Sequence, residues 1–455
     1  MGSTSCYCLF LILILFFHSS FIYNVAADNA TVGLKRESPD TIIGGSSDGY
    51  GPAPPPDYPT SPEIKECVTP LTTQPPSCLP ANIVRDFKSI QQFKNQITYD
   101  PLEVTKSWNQ DNFNICTYKG FTCAHRPDSG VLSVAATDFN GYNFNGPNLE
   151  IKDFIDKLKD LTIFHANSNN FTGIVPNDIS IQNINFLYEF DISNNKYTGG
   201  FPFPLLSARN LTFLDIRFNQ FSGPIPREVF MLDLDALFLN NNQFNQQLPD
   251  NVGNTSALYL TFANNNLGGP IPSSIGNAKN LLEVLFLKNQ FTGCLPYEIG
   301  NLKKATVFDV SCNMLTGPIP HSFACLAKIQ ILNLANNGFY GPVPEMVCQL
   351  PNLQNLSLSG NFFTQVGPEC RKLIMLKRID VGQNCILDLP YQRSADECKE
   401  FFSKRRTCPN EKSLTYVPCR KNWHRNSTVP EQSTIAVPPS PRSYEALSPN
   451  NKFRF

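Results

Sequence analysis

Charge of either sign is scarce in this 455-residue chain, at 16% of residues, and 37 Lys and Arg against 38 Asp and Glu leave a net charge of −1. With no basic excess, and no basic cluster through the middle of the chain, a nucleic-acid partner is not expected. Long apolar runs are scarce too. The run Leu9–Phe17, extending weakly to Ile22, is short for a bilayer span, and nothing later approaches 18 apolar residues. No membrane span is therefore expected in the mature chain. Catalytic signatures are also missing: there is no Gly-rich phosphate loop, HExxH pair, nucleophile elbow or kinase region. Only five histidines occur, scattered at His18, His125, His165, His321 and His424. The expectation is a protein that is not an enzyme, with no cofactor and no metal site.

What is abundant is repetition. From Thr137 to Leu387 the spacing aliphatic–x–aliphatic–x–x–Asn–x–aromatic/Leu–x–Gly–x–aliphatic–Pro recurs every 23–26 residues, as in LDIRFNQFSGPIP (214–226), FDVSCNMLTGPIP (308–320) and LNLANNGFYGPVP (332–344). The frame is set by Asn169, Asn195, Asn219, Asn242, Asn265, Asn289, Asn313, Asn337, Asn361 and Asn384, with an earlier rung carrying Tyr142 in that place. This period and spacing are those of leucine-rich repeats, so the fold expected is an α/β solenoid of about 11 repeats with capped ends. Alternation before each Asn gives a short strand with one face inward. A buried amide persists only if its polar atoms are satisfied, so the Asn column should hydrogen-bond backbone along the stack. In the Gly-x-aliphatic-Pro piece, Gly permits a bend and Pro removes a donor and stops a strand. Such a solenoid offers a long concave surface rather than an internal cavity, which makes binding the first function to consider.

Around the repeats the chain divides by composition. Residues 1–27 read as a secretory signal, with Val25-Ala26-Ala27 as the cleavage site, although a positive n-region is missing. Residues 28–78 are a Pro/Ser/Gly-rich linker containing YGPAPPPDYPTSP at 50–62. Residues 79–130 form an N-terminal cap: an amphipathic helix over Ile83–Ile97, stopped by Asp100-Pro101, then Trp108 and the CTYKGFTC segment. Repeats fill 131–387, a Cys-rich tail follows at 388–419, and 420–455 are Pro- and Ser-rich and expected to be disordered. The basic run Lys404, Arg405, Arg406 reads as a solvated face.

Thirteen cysteines remain after the signal: Cys67, Cys78, Cys116, Cys123, Cys294, Cys312, Cys325, Cys348, Cys370, Cys385, Cys398, Cys408 and Cys419. Such usage behind a signal indicates an oxidising compartment. Cys116 and Cys123 should close a small loop beside the first rung. Cys348 pairs with Cys370 one rung away, or with Cys325 by the same spacing. Cys385, Cys398, Cys408 and Cys419 form a cluster with three internal connectivities. An odd count leaves a thiol that is free or joins two chains in a homodimer, with Cys294 and Cys312 as candidates. Sequons at Asn29, Asn170, Asn210, Asn254, Asn355 and Asn426 are candidate glycosylation sites.

Side chains flanking each inward strand residue point to the concave face. The position before the inner aliphatic is held by Asp138, His165, Asp191, Asp215, Phe238, Thr261, Leu285, Asp309, Asn333, Ser357 and Asp380, with Glu189 and Asp235 nearby. Asp191 and Asp215 on neighbouring rungs should form a negative strip, continued by Asp138 beyond His165. A basic peptide would be drawn to it, with Phe238 and Phe218 as apolar anchors. Paired carboxylates could in principle cleave glycosides, but an open solenoid face lacks a closed cleft, so catalysis is not expected.

Residues about 80–419 resemble the repeat domain of plant leucine-rich repeat extensins, through ITYDPLEVTKSWN (97–109), CTYKGFTC (116–123), DLDALFLNNNQF (233–244), GGPIPSSIGNAKNL (268–281) and DLPYQRSADEC (388–398). The resemblance implies a plant-type right-handed superhelix, or horseshoe, with disulfide-capped ends. It also implies a secreted wall or apoplast protein that binds basic Cys-rich peptides of the rapid alkalinization factor type and tends to dimerise. Two departures stand out. The long Ser-Pro runs of the extensin region are missing, and Pro270 takes the place of a Cys, so that Cys294 would lose its partner. Alternative roles are an inhibitor of wall-degrading enzymes, in the manner of polygalacturonase inhibitors, and a structural wall scaffold holding polysaccharide.

Overall fold

The computed structural model describes residues 79–126, 128–175, 186–409 and 411–419. The expected signal, linker and final tail, with Asn29, Asn426, Cys67 and Cys78, lie outside the described residues. A twelve-stranded sheet runs from Phe121–His125 and Leu132–Asp138 to Ile379–Asp380, one strand per rung after the first pair. That first pair is antiparallel and every later pair is parallel. Leu214, Leu237, Leu260, Val284 and Phe308 stand in register and are buried, which is the inward column the alternation predicts.

The Asn column is a ladder. Asn289 Nδ2 donates to the carbonyls of Phe262, Phe286 and Leu287, and its Oδ1 accepts from the N–H of Leu267 one rung back, at 3.0 Å. Asn265, Asn313 and Asn337 repeat the pattern. Each amide thus ties two rungs together through backbone groups that would otherwise be buried unpaired. The residue just before it is left-handed in rung after rung, at φ 52–57° for Asn194, Phe218, Asn241, Lys288 and Asn336. Asn tolerates that region, whereas Phe218 and Lys288 are held there by the turn around them.

The residues between the ladder Asn and the repeat Gly form a second sheet of eight strands, from Thr198–Gly199 to Phe362–Gln365. In the middle rungs Pro follows the strand and caps a short 3-10 turn, as in Arg227–Met231, Ser273–Asn277, Tyr297–Asn301 and His321–Cys325. In the last two rungs the same place is taken by α-helical turns, Glu345–Cys348 and Pro368–Met375.

At the N-terminal end the cap helix is Ala81–Lys94, shorter than the apolar spacing predicts. Ile83, Ile90 and Phe93 are buried, Phe87 and Ile97 half-buried. The chain leaves the helix well before Asp100-Pro101 because the N–H groups of Thr98 and Tyr99 both bond the Asn145 carbonyl. Trp108 is fully buried, its Nε1 donating to Lys119 O at 2.9 Å and its rings edge-on to Phe121 and Phe144. Cys116–Cys123 closes the loop beside it, as expected.

The cysteines at the other end depart from expectation. Cys348–Cys370 forms and Cys385–Cys398 forms, but Cys408 bonds Cys294 and Cys419 bonds Cys325. The tail cluster is therefore not self-contained, Cys325 is not the partner of Cys348, and Cys294 has not lost its partner. Cys312 is disulfide-bonded as well. The reason is the path of the tail. After the helix Ala395–Ser403, capped by Ser394 and Glu397, the chain doubles back along the flank of the second sheet. Phe401 stacks on Phe362 with ring centroids 3.6 Å apart, and Tyr340 donates to Arg406 O. Arg406 lies over Phe401, so this member of the basic run is packed rather than solvated. Gly317, at φ +90°, lets the tail approach, since a Cβ there would collide with Cys408 Sγ.

Candidate functional site

Strand register sets the predicted column side by side: Asp138 against His165, His165 against Asp191, Asp191 against Asp215, then Phe238, Thr261, Leu285 and Asp309. A second column on the same face holds Ile163, Glu189, Phe213, Ala236, Tyr259, Glu283, Val307, Ile331 and Asn355. The alternation rule places both correctly.

Accessibility divides the column. Asp138 is exposed, and His165, Glu189 and Asp191 are half-buried. His165 Nε2 lies 2.8 Å from Glu189 Oε2. Burial opposes charge on this imidazole, but the Glu189 hydrogen bond and the charges of Asp191, Glu189 and Asp138 outweigh it and raise its pKa. Asp191 Oδ1 accepts from the N–H and hydroxyl of Ser193, at 2.8 and 2.6 Å. Burial still raises the Asp191 pKa against those bonds and the nearby His165 and Arg217.

Asp215 corrects the strip. It is buried, Arg217 Nε lies 2.9 Å from its Oδ2, and the Arg217 N–H donates to its Oδ1. Burial raises the Asp215 pKa, and the adjacent guanidinium works the other way. Arg217 stands two residues after Asp215 and so on the same face, a basic group that a count of acids along the column leaves out. Asp309 is likewise buried, accepting from Ser311 N–H and Asn333 Nδ2. The strip is therefore not a continuous acidic row. Its accessible acids are Asp138, Glu189 and Asp191 around His165, with Asp380 exposed by itself at the far end, and Asp215 serves Arg217.

The apolar anchors also differ. Phe238 is buried edge-on to Phe213, with Arg217 over its ring. Phe218 belongs to the left-handed column and not to the strand column. Asp235 is half-buried before its strand. The middle of this face is apolar, in two small clusters apart from the main core: Phe213, Ala236 and Phe238 with Tyr259, and Ala263, Leu285, Leu287 and Val307 with Ile331. Phe238 and Leu285 stand in the column from Asp138 to Asp309, Phe213, Ala236, Tyr259, Val307 and Ile331 in its neighbour, and Ala263 and Leu287 two residues beyond the first column.

Among the described residues, no group of three or more His, Cys, Asp or Glu could hold a metal, and no helix is long and apolar enough to cross a membrane.

Comparison with known proteins gives two family matches, the leucine rich repeat N-terminal domain at 85–124 and a leucine rich repeat at 210–232. Leucine-rich repeat extensin-like protein 1 of Arabidopsis thaliana is 40% identical over 154 residues, covering 34% of this chain and 20% of that protein. Extensin-like protein 2 of the same plant is 39% identical, over 34% and 19%. The match thus spans about a fifth of those relatives' length. Among solved structures, the Arabidopsis receptor kinase HAESA ectdomain, in complex with an N-terminally extended IDA peptide hormone ligand, aligns at TM-score 0.54 and 26% identity, over 63% of this chain and 47% of that one. A plant ice-binding protein aligns at TM-score 0.55 and 21% identity, over 69% and 98%, a likeness of fold alone. The fold is that of a leucine-rich repeat solenoid, and its disulfides and its likeness to the extensin-like proteins are those of an extracellular-type plant repeat protein.

Proposed function

We propose that this chain, whose repeats resemble those of the plant leucine-rich repeat extensins, is a secreted, non-catalytic wall protein that binds a basic, Cys-rich peptide on its strand face. The observation that carries this reading is the group around His165: Asp138, exposed, and Asp191, half-buried, in register with it, and Glu189, half-buried, in the adjoining column. Three carboxylates facing one imidazole leave net negative potential where an extended cationic segment could lie across the rungs. The neighbouring apolar stretch begins with Phe213 beside His165, ring centroids 6.4 Å apart. The HAESA ectdomain holds a peptide hormone on the same kind of fold, which supports a peptide as the ligand class.

The test is calorimetric titration of the full chain with a rapid-alkalinization-type peptide at low and high salt. Changing Asp138→Asn together with Glu189→Gln should weaken binding roughly tenfold at low salt and much less at high salt. A variant that binds as tightly as the unchanged chain at both ionic strengths refutes the site. Asp215 is left intact in this test because its removal would strip a buried guanidinium of its carboxylate.

A further inference from the structure

We propose that Asn355 carries an N-linked glycan that stands on the strand face and closes its C-terminal stretch, leaving the Asp138, His165, Glu189 and Asp191 end for the ligand. This rests on the strand face being the binding face and on passage through the secretory route.

Four sequons fall on described residues, and their places differ. Asn170 follows the ladder residue Asn169 where the chain leaves the strand face, its N–H bonded to Phe144 O. Asn210 lies in the turn after the 3-10 helix Phe203–Ser207. Asn254 ends the 3-10 helix Val252–Asn254. Asn355 opens the strand Asn355–Ser357, in register with Ile331. Because Leu356 between them is buried inward, Asn355 and Ser357 both project to the strand face. Asn355 is exposed, and its Oδ1 accepts from the Ser357 hydroxyl at 2.9 Å. Its Nδ2, the atom that would bear sugar, makes no hydrogen bond among the described residues, whereas Nδ2 of Asn361 and Asn384 nearby is committed to carbonyls.

The chemistry needs one co-reactant class, a lipid pyrophosphate-linked oligosaccharide, met during translocation. The Asn355 amide nitrogen bonds to the anomeric carbon and gives up a proton, while the anomeric carbon–phosphate oxygen bond breaks and the lipid pyrophosphate leaves. A bulky, hydrated sugar then stands beside Ile331, Asn333 and Asp380. From Asn355 back to Glu189 in the same column is seven strand spacings, roughly 34 Å at about 4.8 Å each. The glycan and the acidic group therefore occupy opposite stretches of one face.

The experiment uses the full chain secreted from plant cells, with glycopeptide mass spectrometry at Asn355 and hydroxyl-radical footprinting of wild type against Ser357→Ala. The expected result is an occupied Asn355, and at least twofold greater oxidation of Ile331 in the variant. An unmodified Asn355, or Ile331 oxidation that does not change, overturns the proposal. Peptide affinity should differ less than twofold between the two proteins; a gain of fivefold or more in Ser357→Ala would put the sugar inside the ligand's footprint and overturn the division of the face. If no peptide binds either protein, the peptide reading fails, while occupancy and footprinting still decide whether the sugar shields this stretch.

Discussion

Asp215 and Arg217 form an ion pair on the strand face in which both side chains are 1% exposed, with Nε and Oδ2 2.9 Å apart. Two charges are held out of water there, so each depends on the other. Removing one partner of such a pair costs about 3–5 kcal/mol, whereas replacing both with apolar residues of similar volume is near neutral. Asp215→Ala should lower the denaturant midpoint accordingly, and Asp215→Leu with Arg217→Met should recover most of the loss. If single and double variants are equally destabilised, the pair is not coupled.

The Asn ladder predicts a second effect. Asn289→Ala strands the Leu267 N–H and takes one of the donors from the carbonyls of Phe262, Phe286 and Leu287, which keep Asn265 Nδ2, Asn313 Nδ2 and the Asn264 N–H. Losing a buried partner costs about 1–3 kcal/mol for each polar group left unmet. The stack should be destabilised by roughly 1–3 kcal/mol, with amide exchange accelerating first around Leu267. Uniform exchange across all rungs would argue against a local tie.

Acid should strengthen the N-terminal cap. Asp86 on the cap helix is fully buried, and burial raises its pKa from 3.8 to about 7 against the lowering effect of Arg85, 2.7 Å away. Arg85 also reaches Asp160, which Arg126 binds from the other side. For a carboxyl raised on folding, the contribution is complete below the unfolded value near 3.8 and is lost as pH climbs through about 7. Stability should therefore fall by roughly 1–4 kcal/mol between pH 4 and pH 8. Asp86→Asn should flatten that part of the profile, and denaturant midpoints at both pH values would show it.

The tail should be clamped by its two long-range bridges. Cys294–Cys408 and Cys325–Cys419 join positions 114 and 94 residues apart. Replacing Cys294 and Cys408 together with Ala should cost about 2–4 kcal/mol. Trypsin should then cut at Lys404 and Arg405 at least tenfold faster, read by mass spectrometry of limited digests. Unchanged cleavage would mean that Phe401 on Phe362 holds the tail unaided.

Much of this was legible in the sequence, for a physical reason. A solenoid repeats one local solution, so the Asn frame and strand alternation carry the register of the whole stack, and the column from Asp138 to Asp309 came out as read. The cap helix ended early because Thr98 and Tyr99 answer to Asn145, some 46 residues away, which local spacing cannot reveal. The same limit applied to Cys408 and Cys419, whose partners depend on the direction the chain takes after Ser403. At the site, composition alone misled. Asp215 and Asp191 look equivalent as letters, but only Asp215 has Arg217 two residues later on the same face.

The doubled-back tail also fixes where mechanical load would enter. A pull exerted on the chain at Cys419 is delivered through sulfur to the 3-10 turn at Cys325, on the side turned away from the strand face, and not to the short final strand Ile379–Asp380. Tension would be shared among the middle turns of the coil instead of unzipping it from its last one, and the surface bearing Asp138 and Asp191 would stay unobstructed while the molecule is held.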